Sequence, residues 1–260
     1  MFSHDSRCIL HRNQLAEVIC QFRFPEILII GTTAPAEFQE KIRGCFPKYS
    51  VRKESNGPQI RNISGSFQIE NSPVTTNYQF TTADNIWKVN LTSGFISLSC
   101  RRYTRWEEFA RYFDHILAAF ITTYSPAYFT RIGLRYLNFI SRQDLDLHDM
   151  QFKDLIEPCY LGPLADDEIP ENAATQCTVD TQIQLRNCTL KLHAGPGMVK
   201  RNGVDDGEAK FIFDQDLYMN GNIPITNSAS VLNTLHNQAY SVFRGAITDR
   251  LFEAMEPETI

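Results

Sequence analysis

Apolar and polar residues alternate along AEVICQFRF, residues 16–24, with Ala16, Val18, Cys20, Phe22 and Phe24 set against Glu17, Ile19, Gln21 and Arg23. That period of two predicts a half-buried strand. Past Gly31 and Pro35, the residues Phe38, Ile42, Cys45 and Phe46 keep helical spacing, which predicts a short helix stopped by Pro47. Asn56-Gly57 predicts a hairpin between strands near 49–54 and 59–70, and turns at Asp84-Asn85 and Ser93-Gly94 divide residues 76–100 into a three-strand meander. Thr104 and Glu107 spell a capping box. It opens a long core helix in which Trp106, Phe109, Phe113, Leu117, Phe120 and Tyr124 form the apolar stripe, ending before Pro126.

The second half repeats this order. A strand over 128–140, containing RIGLRYLNFI, precedes a short amphipathic helix over MQFKDLIEP, residues 150–158. Strands follow near 174–186, 188–194 and 209–218, and a last helix begins near Asn227 with Leu232, Leu235, Ala239, Val242 and Phe243 as its stripe. Phe22-Arg23-Phe24 has a counterpart in Leu134-Arg135-Tyr136. The pattern predicts an α+β fold of two similar β-α-β(3-4)-α halves, subdomains 1–126 and 127–260. Their antiparallel sheets join edge to edge about a pseudo-twofold axis, with the long helices covering one face.

The strings EVICQFRFP, RIGLRYLN, FIFDQDLY and LHNQAYSVFRGAIT are similar to those of a sporadically distributed family of uncharacterised prokaryotic proteins. The order of elements resembles the duplicated fold of TATA-binding-protein-like domains. The resemblance covers nearly the whole chain and implies that duplicated fold. It implies no assigned activity and no catalytic residue, and DNA binding does not follow from the fold.

Composition narrows the class. With 43% hydrophobic and 21% charged residues in 260, the chain has the make-up of a soluble globular protein. The first residues, MFSHDSRCILHRNQ, lack the apolar stretch of a signal peptide, and no apolar run nears the ~18 residues that span a bilayer. A cytoplasmic, membrane-free protein is expected. The seven cysteines are scattered with no C-x-x-C pair, the usage of reduced thiols rather than disulfides or zinc ligands. Without an export signal, the glycosylation sequences at Asn62, Asn90 and Asn187 carry no weight. Residues 1–130 hold 14 Lys and Arg against 11 Asp and Glu, whereas residues 131–260 hold 11 against 19. So acidic a second half disfavours a whole-molecule grip on nucleic acid, though a basic patch on the first half is compatible with one.

If helices cover one sheet face, the other displays Arg131, Arg135, Asp180, Gln182, Gln184, Lys191, His193, Asp214 and Asp216, joined by Glu17, Gln21 and Arg23 from the first half. This face is either a solvated surface laced with ion pairs or a recognition surface for an anionic ligand or partner chain. In the second case the related arginines Arg23 and Arg135 mark its centre. Asp214-x-Asp216 puts two carboxylates on one face, the minimum for a divalent cation. If 188–194 pair with 209–218, however, His193 lies about four residues, or ~13 Å, from Asp214, and no metal site is expected. The run HAGPGMVKRNGVDDGE, residues 193–208, fits a flexible hairpin connection better than an anion-binding loop, and Arg101, Arg102 and Arg105 fit a solvated turn. His236 fits a core-edge histidine bonded to backbone.

The leading expectation is a non-enzymatic binding module without a cofactor. Its polar sheet face, or the seam between its halves, holds a protein partner or a small anionic ligand; self-association through a sheet edge would fit. Two alternatives stand beside it. One is a metal-assisted enzyme acting on a phosphorylated or nucleic-acid substrate through Asp214, Asp216 and His193, and the other is nucleic-acid binding by the basic first half.

Overall fold

The computed structural model describes residues 2–54, 59–63, 66–70, 74–201 and 204–259. The first half contains β1 (Cys8–Leu10), β2 (Leu15–Arg23), α1 (Leu28–Thr32), α2 (Ala36–Ile42), β3 (Lys48–Glu54), β4 (Gln59–Ile63), β5 (Ser66–Glu70), β6 (Thr75–Thr81), β7 (Trp87–Leu91), β8 (Phe95–Cys100) and α3 (Trp106–Tyr124). The second contains β9 (Phe129–Ile140), β10 (Val179–Gln184), β11 (Thr189–Arg201), β12 (Val204–Ile223), α4 (Ser228–Arg244), α5 (Asp249–Ala254) and β13 (Pro257–Thr259). Nine strands form one antiparallel sheet in the order β10-β11-β12-β9-β2-β8-β7-β6-β3. The fold is α+β, and β2 and β9 pair at the middle of the sheet with Cys20 opposite Leu134 and Phe22 opposite Ile132.

Alternation decides which face meets the helices. Val18, Cys20 and Phe22 of β2, Ile132 and Leu134 of β9, and Phe211, Phe213 and Leu217 of β12 are all buried on one side. Phe22 meets Phe113 of α3 and Phe129 at 4.8 Å between ring centroids, and Phe213 meets Phe243 of α4 at 5.9 Å. Burying a phenylalanine of this kind stabilises by about 1.5–3 kcal/mol. Ser125 ends α3 in the left-handed conformation, φ 45°, because Pro126 disfavours the right-handed helical region for the residue before it. No helix is long and apolar enough to cross a membrane among the described residues.

Several expectations change. The helix expected over 150–158 is a series of 3-10 turns, beginning with Phe152–Asp154 and Pro158–Tyr160. Pro158 and Pro163 lack the N–H that a continuing α-helix needs, so separate turns seat Phe152 and Tyr160 against Phe211 and Phe213. Asn56-Gly57 lies outside the described residues. Among the described residues the expected pairing of 49–54 with 59–70 is not made: β3 pairs with β6, and β4 with β5. The segment 193–208 is largely strand rather than a flexible connection. Pro196 is tolerated in β11 because β10 ends opposite Ala194, leaving no strand on that side to accept an N–H. Instead the backbone at Cys177 and Thr178 packs there, so close that a Cβ on Gly195 would lie 2.3 Å from the Cys177 carbonyl oxygen. The capping box is absent, since Thr104 donates to Glu108 while Glu107 is taken by Arg7 and Arg105. The halves are not evident copies: the first holds α1, α2 and β3–β5 where the second has 3-10 turns.

Candidate functional site

The helix-free face gathers the polar residues that alternation places there. Arg135 donates through Nε to Asp214 Oδ1 at 2.7 Å and through Nη2 to Oδ2, a two-pronged pair that raises the arginine's pKa. Arg131 donates to Asp216 Oδ2 at 2.8 Å, and its guanidinium lies 4.4 Å from the centre of the Tyr218 ring. Gly133 makes room for this pose, as a Cβ there would sit 2.3 Å from Arg131 Nη1. Burial raises the pKa of Asp216 despite the opposing pull of Arg131 and Arg135.

One register expectation is corrected. His193 lies directly opposite Asp214 instead of about four residues away. The β11–β12 hairpin closes at Arg201 and Val204, with an irregularity between Met198 and Lys200, so the strands run past the point where they were expected to turn. Even so, His193 Nδ1 bonds Asp180 Oδ1 at 2.8 Å while Asp214 is held by Arg135. Arg23 lies opposite Arg131 and Arg135 opposite Ile19, each two residues from the Gln21–Gly133 pair of the central strands. Arg23 Nε donates to Gln21 Oε1 at 2.9 Å. Lys191 is exposed and lies opposite Asp216, with no ion pair among the described residues. Among the described residues no three His, Cys, Asp or Glu side chains converge as a metal site requires. The predicted residues thus share a face, but its central carboxylates are occupied by arginines.

A second site lies on the helix side, at the seam between the halves. A cavity of about 90 Å³ is lined by residues that include Arg7, Tyr103, Trp106, Tyr136, Gln215 and His236. The N-terminal segment walls it on one side, fixed where Tyr240 donates to the Ser6 carbonyl at 3.1 Å and accepts from the Cys8 N–H at 3.2 Å. Arg7 Nη1 donates to His236 Nε2 at 2.7 Å. A guanidinium has no acceptor, so the ring proton resides on Nδ1 and is donated to the Tyr136 oxygen at 2.8 Å. The Tyr136 ring in turn meets Tyr103 edge to face, with centroids 6.0 Å apart. Trp106 stacks on His236 at 4.1 Å and 6°. These contacts give a directed chain of hydrogen bonds with an aromatic lid.

The electrostatics follow from burial and from Arg7. Burial, with the nearby Arg7 charge, lowers the pKa of His236 to about 3, so the ring is neutral. Burial raises Tyr136 and Tyr103. Burial also pushes Glu107 upward, but hydrogen bonds from Arg7 and Arg105 outweigh it and hold the carboxyl at about 2. Gln215, 2% exposed, lines the cavity with its Oε1 unpartnered. A buried polar group without a partner costs about 1–3 kcal/mol, a cost that a ligand could relieve.

The signal for this cavity was present in the sequence. Asn138 and Gln215 fall in the apolar phase of β9 and β12, between Tyr136 and Ile140 and between Phe213 and Leu217. Register then sets Asn138 opposite Phe213 and Gln215 opposite Tyr136. His236 also departs from expectation, because both ring nitrogens bond side chains rather than backbone. No protein-family model matches the chain, and no curated protein matches it.

Proposed function

We propose that the chain is a non-enzymatic binding module whose small ligand sits in the seam cavity between α3, α4 and the central strands. The observation that carries this reading is the unpartnered Oε1 of Gln215 in a cavity whose walls include Tyr103, Trp106, Tyr136 and His236. Apolar walls with a few fixed polar groups are the usual make-up of a small-molecule site. At ~10–15 Å³ for each water-sized group, the cavity takes roughly six to nine such groups. A planar heteroaromatic bearing an N–H for Gln215 fits both walls and volume. Binding is favoured over catalysis because both nitrogens of His236 are already engaged, leaving that ring no free nitrogen to act as a base. The metal-assisted reading gains no support from Asp214 and Asp216, each of which holds an arginine.

We also propose that the halves arose by duplication. Outward from the centre the strand order runs β2-β8-β7-β6, with β3 beyond it, on one side and β9-β12-β11-β10 on the other, and in each half a long helix follows the meander. Both facts support a pseudo-twofold axis between β2 and β9, which would make the cavity a site at the junction of the repeats.

Benzimidazole and N-methylbenzimidazole test the ligand reading, with Trp106 fluorescence as readout in a Trp87→Phe background. Benzimidazole should quench saturably and bind about tenfold more tightly than the N-methyl compound, a difference of about 1.4 kcal/mol for one buried hydrogen bond. Gln215→Leu should abolish that preference. Equal binding of the two probes, or a preference unaffected by Gln215→Leu, would overturn the assignment.

A further inference from the structure

We infer that the chain carries a second, independent site, for a small molecule with two or more linked phosphate groups, on the helix-free face of the first half. A polar basin of about 240 Å³ lies over β3, β6, β7 and β8, lined by residues that include Ser50, Arg52, Gln79, Lys88, Ser99 and Arg101. Its chemistry differs from that at the centre of the same face. There Arg131 and Arg135 are neutralised by Asp216 and Asp214. Here, among the described residues, Arg52 and Lys88 make no ion pair, and Arg101 has only Glu17, at 4.0 Å and with two-thirds of the arginine side chain exposed. Lys48, next along β3 from this group, is already held by the Ala83 carbonyl at 2.6 Å and Asn85 Oδ1 at 3.0 Å.

The arrangement is fixed by register. Ser50 lies opposite Gln79, Lys88 is opposite both Thr81 and Ser99, and Arg101 follows Ser99 on the same face. Hydroxyls and an amide thus stand between the cations, supplying neutral donors to an anion. Arg52 belongs to β3 and Arg101 follows the end of β8, three strand spacings apart in the sheet order, or about 14 Å at ~4.8 Å per strand. The register sets them a further six residues, or about 20 Å, apart along the strands, so their long side chains bring them to the one basin. One phosphate, with oxygens only about 2.5 Å apart, engages one or two of these cations and leaves the third idle. An oligophosphate chain spans them, with the two guanidinium forks suited to paired oxygens and Lys88 acting as a point charge between.

Isothermal titration of the full chain with inorganic tripolyphosphate and with orthophosphate at low salt tests this. Tripolyphosphate should bind at least tenfold more tightly. Arg52→Gln, Lys88→Gln and Arg101→Gln should each weaken it about three- to tenfold and flatten its salt dependence. Thermal unfolding checks that the variants remain folded. Gln215→Leu should leave tripolyphosphate binding unchanged, which separates this site from the seam cavity. Equal affinity for the two phosphates, or full binding by the triple variant, would refute the assignment. Tighter binding of a single-stranded oligothymidylate at equal phosphate concentration would also refute it, in favour of a nucleic-acid surface.

Discussion

His236 concentrates several effects in one ring. It accepts from Arg7, donates to Tyr136 and stacks under Trp106, and its neutral form is the only one this environment tolerates. The folded pKa of about 3 lies below the ordinary 6.5, so between these values the unfolded chain binds the extra proton. Stability is therefore full above about pH 6.5 and declines on acidification through that window, by about 1.4 kcal/mol per pH unit. From pH 7.5 to pH 5 this single ring should cost about 2 kcal/mol. Glu107 acts in the same direction but lower, its contribution present above 4.5 and lost as pH falls towards 2. Urea unfolding of the parent chain and of His236→Gln at both pH values isolates the histidine. The parent should lose about 2 kcal/mol more than the variant, and parallel pH profiles would contradict a buried neutral ring.

Single strands carry two different jobs on their two faces. Phe22 is fully buried between Phe113 and Phe129, while Ile19 on the opposite face of β2 lies beside Arg135. Phe22→Ala should cost about 3–5 kcal/mol by chemical denaturation, and Ile19→Ala no more than about 1.5 kcal/mol. Comparable losses would mean that both faces of the central strand are core. Alternation made β2, β9 and the stripe of α3 legible in the sequence, because each buries one face against a single partner. It also placed Arg131, Arg135, Asp214 and Asp216 on the correct face. It failed where long-range partners decide: the β11–β12 register depends on where a hairpin closes, and Glu107 leaves its cap for an arginine one hundred residues earlier. The seam was named as a candidate place, but the residues that line its cavity escaped for the same reason. Asn138 and Gln215 look like isolated lapses in two strands until β9 and β12 are set side by side.

At the scale of the whole molecule, the seam that forms the cavity also ties the halves together. β2 and β9 pair from Leu15 opposite Asn138 to Arg23 opposite Arg131, so separating the halves would expose two long strand edges at the centre of the sheet. Arg7 reaches from the N-terminal segment to Glu107 on α3 and His236 on α4, and β1 pairs with β13 to bring Cys8 against Thr259. Neither half therefore keeps its own contacts when the other unfolds, and the boundary near Pro126 is a boundary of topology rather than of stability. Calorimetry should record one heat-absorption peak with a calorimetric to van't Hoff enthalpy ratio near one. The His236→Gln variant should move that peak as a whole rather than split it, because the ring it removes belongs to both halves. Two resolved transitions in the parent chain would instead mean that the halves fold separately, and the cavity between them would then be an interface open to relative motion rather than a preformed site.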